Sequence, residues 1–166
     1  MRIYILRHGE ALPKDDPAVR SDAERPLLEE GIRRTRQAME GFLKLSIPIS
    51  SIFTSPWLRA RQTAAIAAEV LGLSERVFEM DELAGDRPIE DVMNAMTQHA
   101  HLKDIMLVGH NPQLSDLGAH LLSLSTGMQM DLKKSGMCAI EVERLPPKRP
   151  GTLLWMMTAK QLRAMR

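Results

Sequence analysis

Short apolar runs alternate with longer segments of helical periodicity along this chain. Each apolar run is bounded by turn-forming residues, which is typical of buried strands. In chain order, the predicted strands lie at residues 2–7, 49–54, 76–80, 104–109, 137–143 and 152–157. Predicted helices lie at residues 27–45, 57–71, 89–99 and from Asn111-Pro112 to about Ser123. Such alternation predicts an α/β fold: a single three-layer domain over residues 1–166, with a mostly parallel central sheet and helices on both faces.

Local signals mark where several of these elements begin and end. Gly72 follows the second predicted helix and is expected at its C-cap. Asn111 is a preferred N-cap residue, and Pro112 loses no hydrogen bond at the first helical position. Residues 9–26, between the first strand and the first helix, form the longest stretch without a pattern. Because long loops inside compact domains often carry function, this loop is a candidate for part of a site.

Composition and charge exclude several classes of protein. The chain has 22 Lys and Arg against 21 Asp and Glu, which excludes a generally basic nucleic-acid binder and an acidic disordered chain. A single cysteine, Cys138, excludes an internal disulfide framework and a zinc site built from cysteines. No apolar run approaches the ~18 residues of a membrane span, and the first strand is too short for a signal peptide. We therefore expect a cytoplasmic protein whose partners include neither nucleic acid nor a membrane.

Charge is unevenly distributed along the chain. Residues 144–166 contain six basic residues and no acidic one. A solvated tail is the simpler interpretation of this segment, and we favour it. A surface that binds an acidic partner is the alternative.

Three segments place polar side chains directly after predicted strands. They are Arg7-His8-Gly9-Glu10, residues 55–64 and Gly109-His110-Asn111-Pro112. In open α/β sheets, ligands bind beyond the carboxyl ends of parallel strands. If these three strands are parallel, the segments converge on one edge of the sheet, although they lie far apart in the sequence.

The residue types in these segments suit a phosphoryl group. Two histidines, His8 and His110, would lie beside Arg7, Arg59 and Arg61, with few carboxylates nearby. Guanidinium groups match phosphate oxygens bidentately, and helix N-termini add amide donors. Nearby positive charge favours the neutral imidazole, which is the nucleophilic form. One histidine would attack phosphorus while the other stabilises the transferring oxygens.

These motifs resemble those of the histidine phosphatase superfamily. Its signature Arg-His-Gly corresponds to Arg7-His8-Gly9, and its Ser-Pro-x-x-Arg-Ala-x-Gln-Thr-Ala element corresponds to residues 55–64. Its late histidine corresponds to His110, and Arg25-Pro26-Leu27 is its usual approach to the first helix. The resemblance covers nearly the whole chain, and it is strongest to the short phosphohistidine phosphatases of the SixA type.

The resemblance implies a role for each matching residue. His8 would be the nucleophile and form a covalent phosphohistidine intermediate, while Arg7, Arg59 and His110 would hold the phosphoryl oxygens. All four are expected to be catalytic, and the latter three also bind substrate. The resemblance implies neither a metal nor a cofactor.

Two further positions stay open at this point. The family's proton donor corresponds best to Glu82, with Asp81 and Asp86 as alternatives. An imidazole leaving group needs no strong acid, so a poorly placed carboxylate is compatible with a phosphohistidine substrate. Ser55 would donate a hydrogen bond near the phosphate or cap the following helix, and we favour the cap.

The substrate class is a separate expectation. The resemblance implies bacterial signal transduction, with a phosphohistidine-bearing phosphotransfer protein as partner and inorganic phosphate as product. Only 51 positions separate Arg59 from His110, which leaves little room for a lid and favours a phosphate displayed on a protein. The alternatives are a small-molecule phosphomonoesterase or mutase of the same superfamily, and a phosphate-binding module without turnover.

Overall fold

Six strands form one mixed sheet in a computed structural model that describes residues 1–125 and 127–166. In chain order they are β1 (Arg2–Arg7), β2 (Ser51–Thr54), β3 (Val77–Glu79), β4 (Asp104–Gly109), β5 (Met137–Glu141) and β6 (Thr152–Met157). They lie side by side in the order β3-β2-β4-β1-β5-β6. The first four neighbours are mutually parallel, and β5 runs antiparallel to both β1 and β6. The predicted strands and the mostly parallel sheet are therefore confirmed.

The strand register brings the chemically active segments to one edge of the sheet. Arg7 at the end of β1 pairs with Gly109 at the end of β4, and Thr54 at the end of β2 pairs with Val108. Because these strands are parallel, the residues that follow them leave the sheet on the same side. The predicted convergence of the three segments is confirmed.

Helices cover both faces of the sheet. They are α1 (Glu29–Leu43), α2 (Leu58–Leu71), α3 (Ile89–Thr97), α4 (Gln113–Ser123) and α5 (Ala159–Arg163). Apolar residues of α1, α2 and α5 pack on one face, and those of α3 and α4 pack on the other. Strand β4 contributes Ile105 and Leu107 to one core and Met106 and Val108 to the other, which explains its unbroken apolar sequence. The chain thus forms the predicted three-layer α/β fold.

Two helix ends test the predictions made from local sequence signals, the C-cap at Gly72 and the N-cap at Asn111. Gly72 adopts a φ of 69° at the C-cap of α2, where a residue without a Cβ is favoured, so this prediction is confirmed. The N-cap prediction for Asn111 is wrong. Its side-chain amide donates to the Leu132 carbonyl at 3.1 Å, and no side-chain cap is present at the start of α4.

The basic C-terminal segment is packed against the domain. Helix α5, which periodicity did not predict, is only five residues long. It begins with a capping box in which Thr158 and Gln161 bond reciprocally, and its Leu162 is buried against α1. The segment is therefore not a tail, although five of its six basic residues are solvent-exposed, as the solvated interpretation expects. Within the two described ranges, no helix combines the length and apolar character needed to cross a bilayer.

Candidate active site

A polar pocket of about 340 Å³ lies at the carboxyl edge of the parallel strands. We call it the strand-end pocket, and its charged and imidazole side chains are Arg7, His8, Asp22, Arg25, Arg59, His110 and Lys134. Four of these side chains are cationic and one is a carboxylate. The pocket therefore has the charge expected of a site for an anion.

His8 is held in one orientation by its own backbone neighbourhood. It extends β1, because its backbone N–H donates to the Gly109 carbonyl at 3.0 Å. Its Nδ1 lies 2.6 Å from the Gly9 carbonyl oxygen, which only accepts hydrogen bonds, so Nδ1 carries the proton. Nε2 is then the acceptor for the Nε–H of Arg59 at 3.2 Å. The unprotonated nitrogen of His8 consequently lies beside a buried guanidinium group.

Both histidines of the pocket are neutral near pH 7. Burial lowers the pKa of His8 to about 3; the Gly9 hydrogen bond opposes this shift, and Arg59 and Arg7 add to it. Burial also lowers the pKa of His110 to about 2, and proximity to His8 and Arg59 adds to the shift. The two ring centroids are 5.0 Å apart. A neutral imidazole is the form that can donate its electron pair to phosphorus.

Asp22 connects two arginines of the strand-end pocket, Arg59 and Arg25. Arg59 donates from Nη2 to Asp22 Oδ2 at 3.0 Å and from Nη1 to the Asp22 carbonyl oxygen at 2.5 Å. Arg25 donates from Nε to Asp22 Oδ1 at 2.8 Å. Although burial alone would raise it, the two guanidinium groups hold the pKa of Asp22 below its usual value. Asp22 is therefore an ionised anchor for the arginines and a poor proton donor.

His110 is fixed by Ser55 and by an aromatic neighbour. Its Nε2 lies 2.8 Å from Ser55 Oγ, which also accepts the backbone N–H of Trp57 at 3.2 Å. Trp57 is itself the N-cap of α2, and no side chain caps the start of that helix, so the capping prediction for Ser55 is wrong. Ser55 instead contacts His110. The Trp57 ring lies 4.6 Å from the His110 ring and 4.8 Å from the Arg59 guanidinium.

Three buried polar atoms of this region lack a hydrogen-bond partner. They are Nε of Arg7, Nδ1 of His110 and Oδ1 of Asn111. Buried polar groups are almost always hydrogen-bonded, so their concentration beside one pocket needs a physical reason. A ligand with several acceptor oxygens would satisfy the two nitrogen atoms when each carries a proton.

The structure brings Arg7, His8, Arg59 and His110 together, but it does not bring Glu82 to them. Glu82 lines a separate depression together with Asp81. The physical reason is a contact from α4: Gln113 Nε2 donates to the carbonyl oxygens of Glu82, Ala84 and Arg87 at 2.8 to 3.1 Å. This contact fixes the turn after β3.

The turn after β3 reaches the strand-end pocket at Gly85, which packs against His110. A Cβ at Gly85 would lie 2.9 Å from Cβ of His110, so only glycine fits this approach without movement. Asp86 follows and lines another cavity, which also contains His120. None of the three carboxylates predicted as proton donors, Glu82, Asp81 and Asp86, is therefore among the residues that line the strand-end pocket.

Sequence reasoning missed Asp22 and Lys134 and gave no charge role to Arg25. The sequence holds a signal for Asp22, because the long loop at residues 9–26 is a candidate for part of a site, and for Arg25, because it lies in a recognised motif. Lys134 has no such signal. Arg61, by contrast, lies outside the pocket, where it is half-exposed and pairs with Glu79 at 3.2 Å.

Comparison with known proteins defines the class to which this fold and pocket belong. Residues 3–85 match the family model of the histidine phosphatase superfamily (branch 1). An uncharacterised protein of Picosynechococcus sp. is 34% identical over 141 residues, which cover 84% of each chain. The chain therefore belongs to the histidine phosphatase superfamily.

Within that superfamily, the chain is a phosphatase similar to SixA. Phosphohistidine phosphatase SixA of Escherichia coli is 27% identical over 169 residues, which cover 98% of this chain and 97% of SixA. The solved structure of the protein histidine phosphatase SixA complexed with tungstate has the same fold, with a TM-score of 0.84, 23% identity and coverage of 98% and 99%. An α-ribazole-5'-P phosphatase structure from Escherichia coli shares the fold at a TM-score of 0.70, with 21% identity and coverage of 96% and 97%.

Proposed function

We propose that this protein removes the phosphoryl group from a phosphohistidine on a phosphotransfer protein and releases inorganic phosphate. The observation that carries the proposal is the state of His8. Its imidazole is neutral, its Nδ1 proton is held by the Gly9 carbonyl, and its Nε2 electron pair lies among cationic side chains. The cytoplasmic location remains an expectation from the sequence.

In the first step, Nε2 of His8 attacks phosphorus. A bond forms between Nε2 and phosphorus while the bond from phosphorus to the substrate imidazole breaks, and that electron pair stays on the departing nitrogen. If the substrate ring carries a proton on its other nitrogen, it leaves as neutral imidazole. His8 becomes a cationic phosphohistidine that keeps its proton on Nδ1 and still donates it in a hydrogen bond to the Gly9 carbonyl oxygen.

In the second step, water attacks the phosphorus bound to His8. A phosphorus–oxygen bond forms, the bond to Nε2 breaks and its electron pair returns to the ring. The proton lost by water passes to the departing phosphate. His8 is restored to the neutral form in which it began.

The surrounding cations stabilise charge on the phosphoryl oxygens. Arg59 is close enough to Nε2 of His8 to bind an oxygen of the group that this nitrogen attacks. Arg7 has an unpartnered Nε–H at the same pocket, and His110 offers Nδ1 when Ser55 donates its hydroxyl proton to Nε2. Charge-assisted hydrogen bonds of this kind are about twice as strong as neutral ones.

The carboxylates of the site support the choice of substrate. Asp22 is ionised between two arginines, and Glu82 lies in a different depression. An alkyl phosphate ester releases an alkoxide that needs a proton in the transition state, whereas a protonated imidazole leaves without one. The pocket is therefore better suited to a phosphohistidine than to a simple ester. The SixA relatives, including the one solved with the oxyanion tungstate, agree with this choice.

A small-molecule phosphomonoesterase is the second candidate. A cavity of about 620 Å³ adjoins the strand-end pocket at Gly85, and Asp86 lines it. This space is sufficient for a small organic leaving group, and Asp86 would be its proton donor. The α-ribazole-5'-P phosphatase with the same fold is an example of a phosphatase named for such a substrate.

One assay separates these candidates. Phosphate release would be measured from a phosphohistidine-carrying phosphotransfer protein and from p-nitrophenyl phosphate, with the wild type and with His8→Ala. We expect a higher kcat/KM for the protein and a loss of more than ~10³-fold in the variant, because the nucleophile is missing. His101→Ala is the matched control, since His101 is exposed and outside the pocket.

Each contrary result has a distinct meaning. Preference for the ester, lost in His8→Ala, would favour the small-molecule enzyme. Turnover that survives His8→Ala would contradict covalent transfer to His8. Binding of the phosphorylated protein without turnover of either substrate would favour a phosphate-binding module.

A further inference from the structure

A second, strongly basic depression adjoins the strand-end pocket. We call it the basic groove. It has a volume of about 450 Å³, and its cationic side chains are Arg7, Arg34, Lys133, Lys134, Lys160 and Arg163. Glu10 is the single carboxylate among its lining residues, so the formal charge of the lining is +5. Arg7 and Lys134 line both the basic groove and the strand-end pocket, which makes the two continuous.

The cations of the basic groove converge from four separate segments. Arg7 ends β1, Arg34 lies on α1, Lys133 and Lys134 precede β5, and Lys160 and Arg163 lie on α5. The final helix is held rigidly in place. Leu162 is buried, and the Leu162 carbonyl approaches Gly41 of α1 so closely that a Cβ there would lie 1.8 Å away. The groove is therefore a preformed feature of the fold.

Some of these charges are available to a partner. The side chains of Lys133, Lys134 and Arg34 are 62%, 48% and 47% exposed, but Lys133 is paired with Asp131 and Arg34 with Glu30 at 2.6 Å. Lys134 has only a distant contact with Glu10, at 3.7 Å. Over the described part of the chain, Lys160 and Arg163 form no ion pair. An acidic partner would thus meet Lys134, Lys160 and Arg163 directly, whereas Lys133 and Arg34 would have to exchange their present carboxylates for it.

The β3 end of the sheet, away from β5 and β6, carries the opposite charge. Two depressions there are lined by Glu79, Asp81, Glu82 and Asp91, with Arg87 as their one cationic side chain. An acidic surface is therefore attracted on the side of the basic groove and repelled on the other. Such an asymmetry orients a charged partner as it approaches.

We propose that the basic groove docks the phosphoprotein substrate through carboxylates that flank its phosphohistidine. This inference rests on the proposed function, because the phosphoryl group must occupy the strand-end pocket. The groove lining lacks large apolar side chains, so the contact is electrostatic. Lysines at separate positions suit dispersed carboxylates, since each ammonium group is an independent point charge.

The test uses two chemically phosphorylated phosphohistidine peptides of equal length. They differ only in the residues beside the phosphohistidine, which are glutamates in one peptide and glutamines in the other. The readout is the ratio of kcat/KM for the two peptides, so a general loss of active protein cancels. For the wild type at low salt we expect a ratio of at least ~10 in favour of glutamate, because electrostatic steering raises the association rate.

Salt should abolish this preference. The screening length falls from ~10 Å at 0.1 M salt to ~3 Å at 1 M salt. The ratio should therefore approach one at high salt. A preference that persists at 1 M salt would overturn the electrostatic docking that we propose.

A charge reversal locates the contact. Lys160→Glu/Arg163→Glu should reduce the ratio to about one or below. The control is Lys103→Glu/Lys148→Glu, which changes the net charge equally at the other edge of the sheet, before β4 and between β5 and β6. The control should keep the wild-type ratio. A groove variant that also keeps it, or a wild type without preference, would overturn the proposal.

A binding measurement separates failure of docking from failure of the proposed function. The unphosphorylated glutamate peptide would be titrated into isotopically labelled protein and followed by NMR. Shifts of amide signals at residues 133–135 and 158–163 would support the groove even if neither phosphopeptide is hydrolysed. Shifts confined to other residues, or none, would overturn it. Equal hydrolysis of both peptides together with inhibition by tripolyphosphate through Lys160 and Arg163 would assign the groove to a free polyanion instead.

Discussion

The strand-end pocket has two parts of different origin. Arg7, His8 and His110 follow parallel strands, so hydrogen bonds of the sheet fix their backbones to each other. Asp22 and Arg25 come from the long loop at residues 9–26, where Arg59 bonds the carboxylate and the backbone carbonyl of Asp22, and Arg25 bonds the same carboxylate. The sheet therefore determines where bonds are made and broken, while the loop adds charge beside them.

The two parts of the pocket also differ in burial, and the residues from the loop are the more exposed. His8 is 7% exposed and Arg59 is 3% exposed, whereas the side chains of Asp22 and Arg25 are 28% and 17% exposed. Electrostatic interactions are screened less at buried positions. Substitutions in the buried part should consequently reduce activity much more than substitutions in the loop.

Arg59→Lys should cause the largest loss in this comparison. Lysine has no planar fork, so it cannot bond His8 Nε2, the Asp22 carbonyl oxygen and Asp22 Oδ2 at once. We expect kcat/KM for the phosphohistidine protein to fall ~10²- to 10³-fold, in the range seen when one oxyanion donor is removed. Steady-state kinetics would measure it, with Arg61→Lys as the matched control on the same helix. A loss below about threefold would mean that the position of Arg59 is not critical.

Asp22→Asn should have a smaller effect. The substitution keeps the shape but removes the charge that anchors Arg25 and Arg59. We expect a loss of about tenfold in kcat with less change in KM, since positioning of the arginines matters most in the transition state. Asp15→Asn, on the same loop and exposed, is the control. A loss as large as that of Arg59→Lys would show that the exposed loop contributes as much as the buried part of the pocket.

The buried histidines should also make folding stability depend on pH. Their pKa values in the folded protein, about 3 for His8 and about 2 for His110, lie below the ordinary 6.5. The unfolded chain therefore binds more protons, and stability present above pH ~6.5 is lost as the pH falls toward the folded values. Each histidine contributes a slope of up to ~1.4 kcal/mol per pH unit.

Urea unfolding between about pH 4 and pH 6 would measure this slope. His8→Asn and His110→Asn should each reduce it by about one proton, whereas the exposed His101→Asn should leave it unchanged. A wild-type slope that neither buried substitution changes would show that other groups are responsible.

The distinction between residues placed by the sheet and residues placed by the loop explains which parts of the site the sequence could predict. Arg7, His8 and His110 follow apolar strands that pattern alone identified, and their convergence follows from parallel strand direction. The placement of Asp22 required the path of a loop without periodicity. Helix α5 was missed because five residues are too few for a helical pattern, although Thr158 and Gln161 form its capping box.

The turn after β3 shows most clearly why some positions were beyond sequence reasoning. The resemblance to the histidine phosphatase superfamily implied Glu82, as the glutamate nearest the end of the third strand, yet the direction of this turn depends on Gln113, about thirty positions later on α4. A long-range side-chain contact of this kind leaves no periodic signal in the sequence. The groove cation Lys134 is a similar case, since its place beside the pocket depends on the turn before β5, where the backbone N–H of Ser135 bonds the carbonyl oxygens of Arg7 and His8.

Glu82→Gln should have the smallest effect of all. Its side chain lines a depression away from His8, and Gln113 bonds only the backbone carbonyl of Glu82, which the substitution retains. With an imidazole leaving group that needs no acid, kcat/KM for the phosphohistidine protein should stay within about twofold of the wild type. Asp86→Asn provides a sharper contrast with Glu82→Gln. It should slow ester hydrolysis selectively if the cavity that Asp86 lines accepts a small leaving group. A tenfold loss of kcat/KM with Glu82→Gln on the phosphohistidine protein would contradict the expectation that the imidazole leaves without a proton donor. The turn at Asp81–Leu83 would then have to move toward His8 when substrate binds.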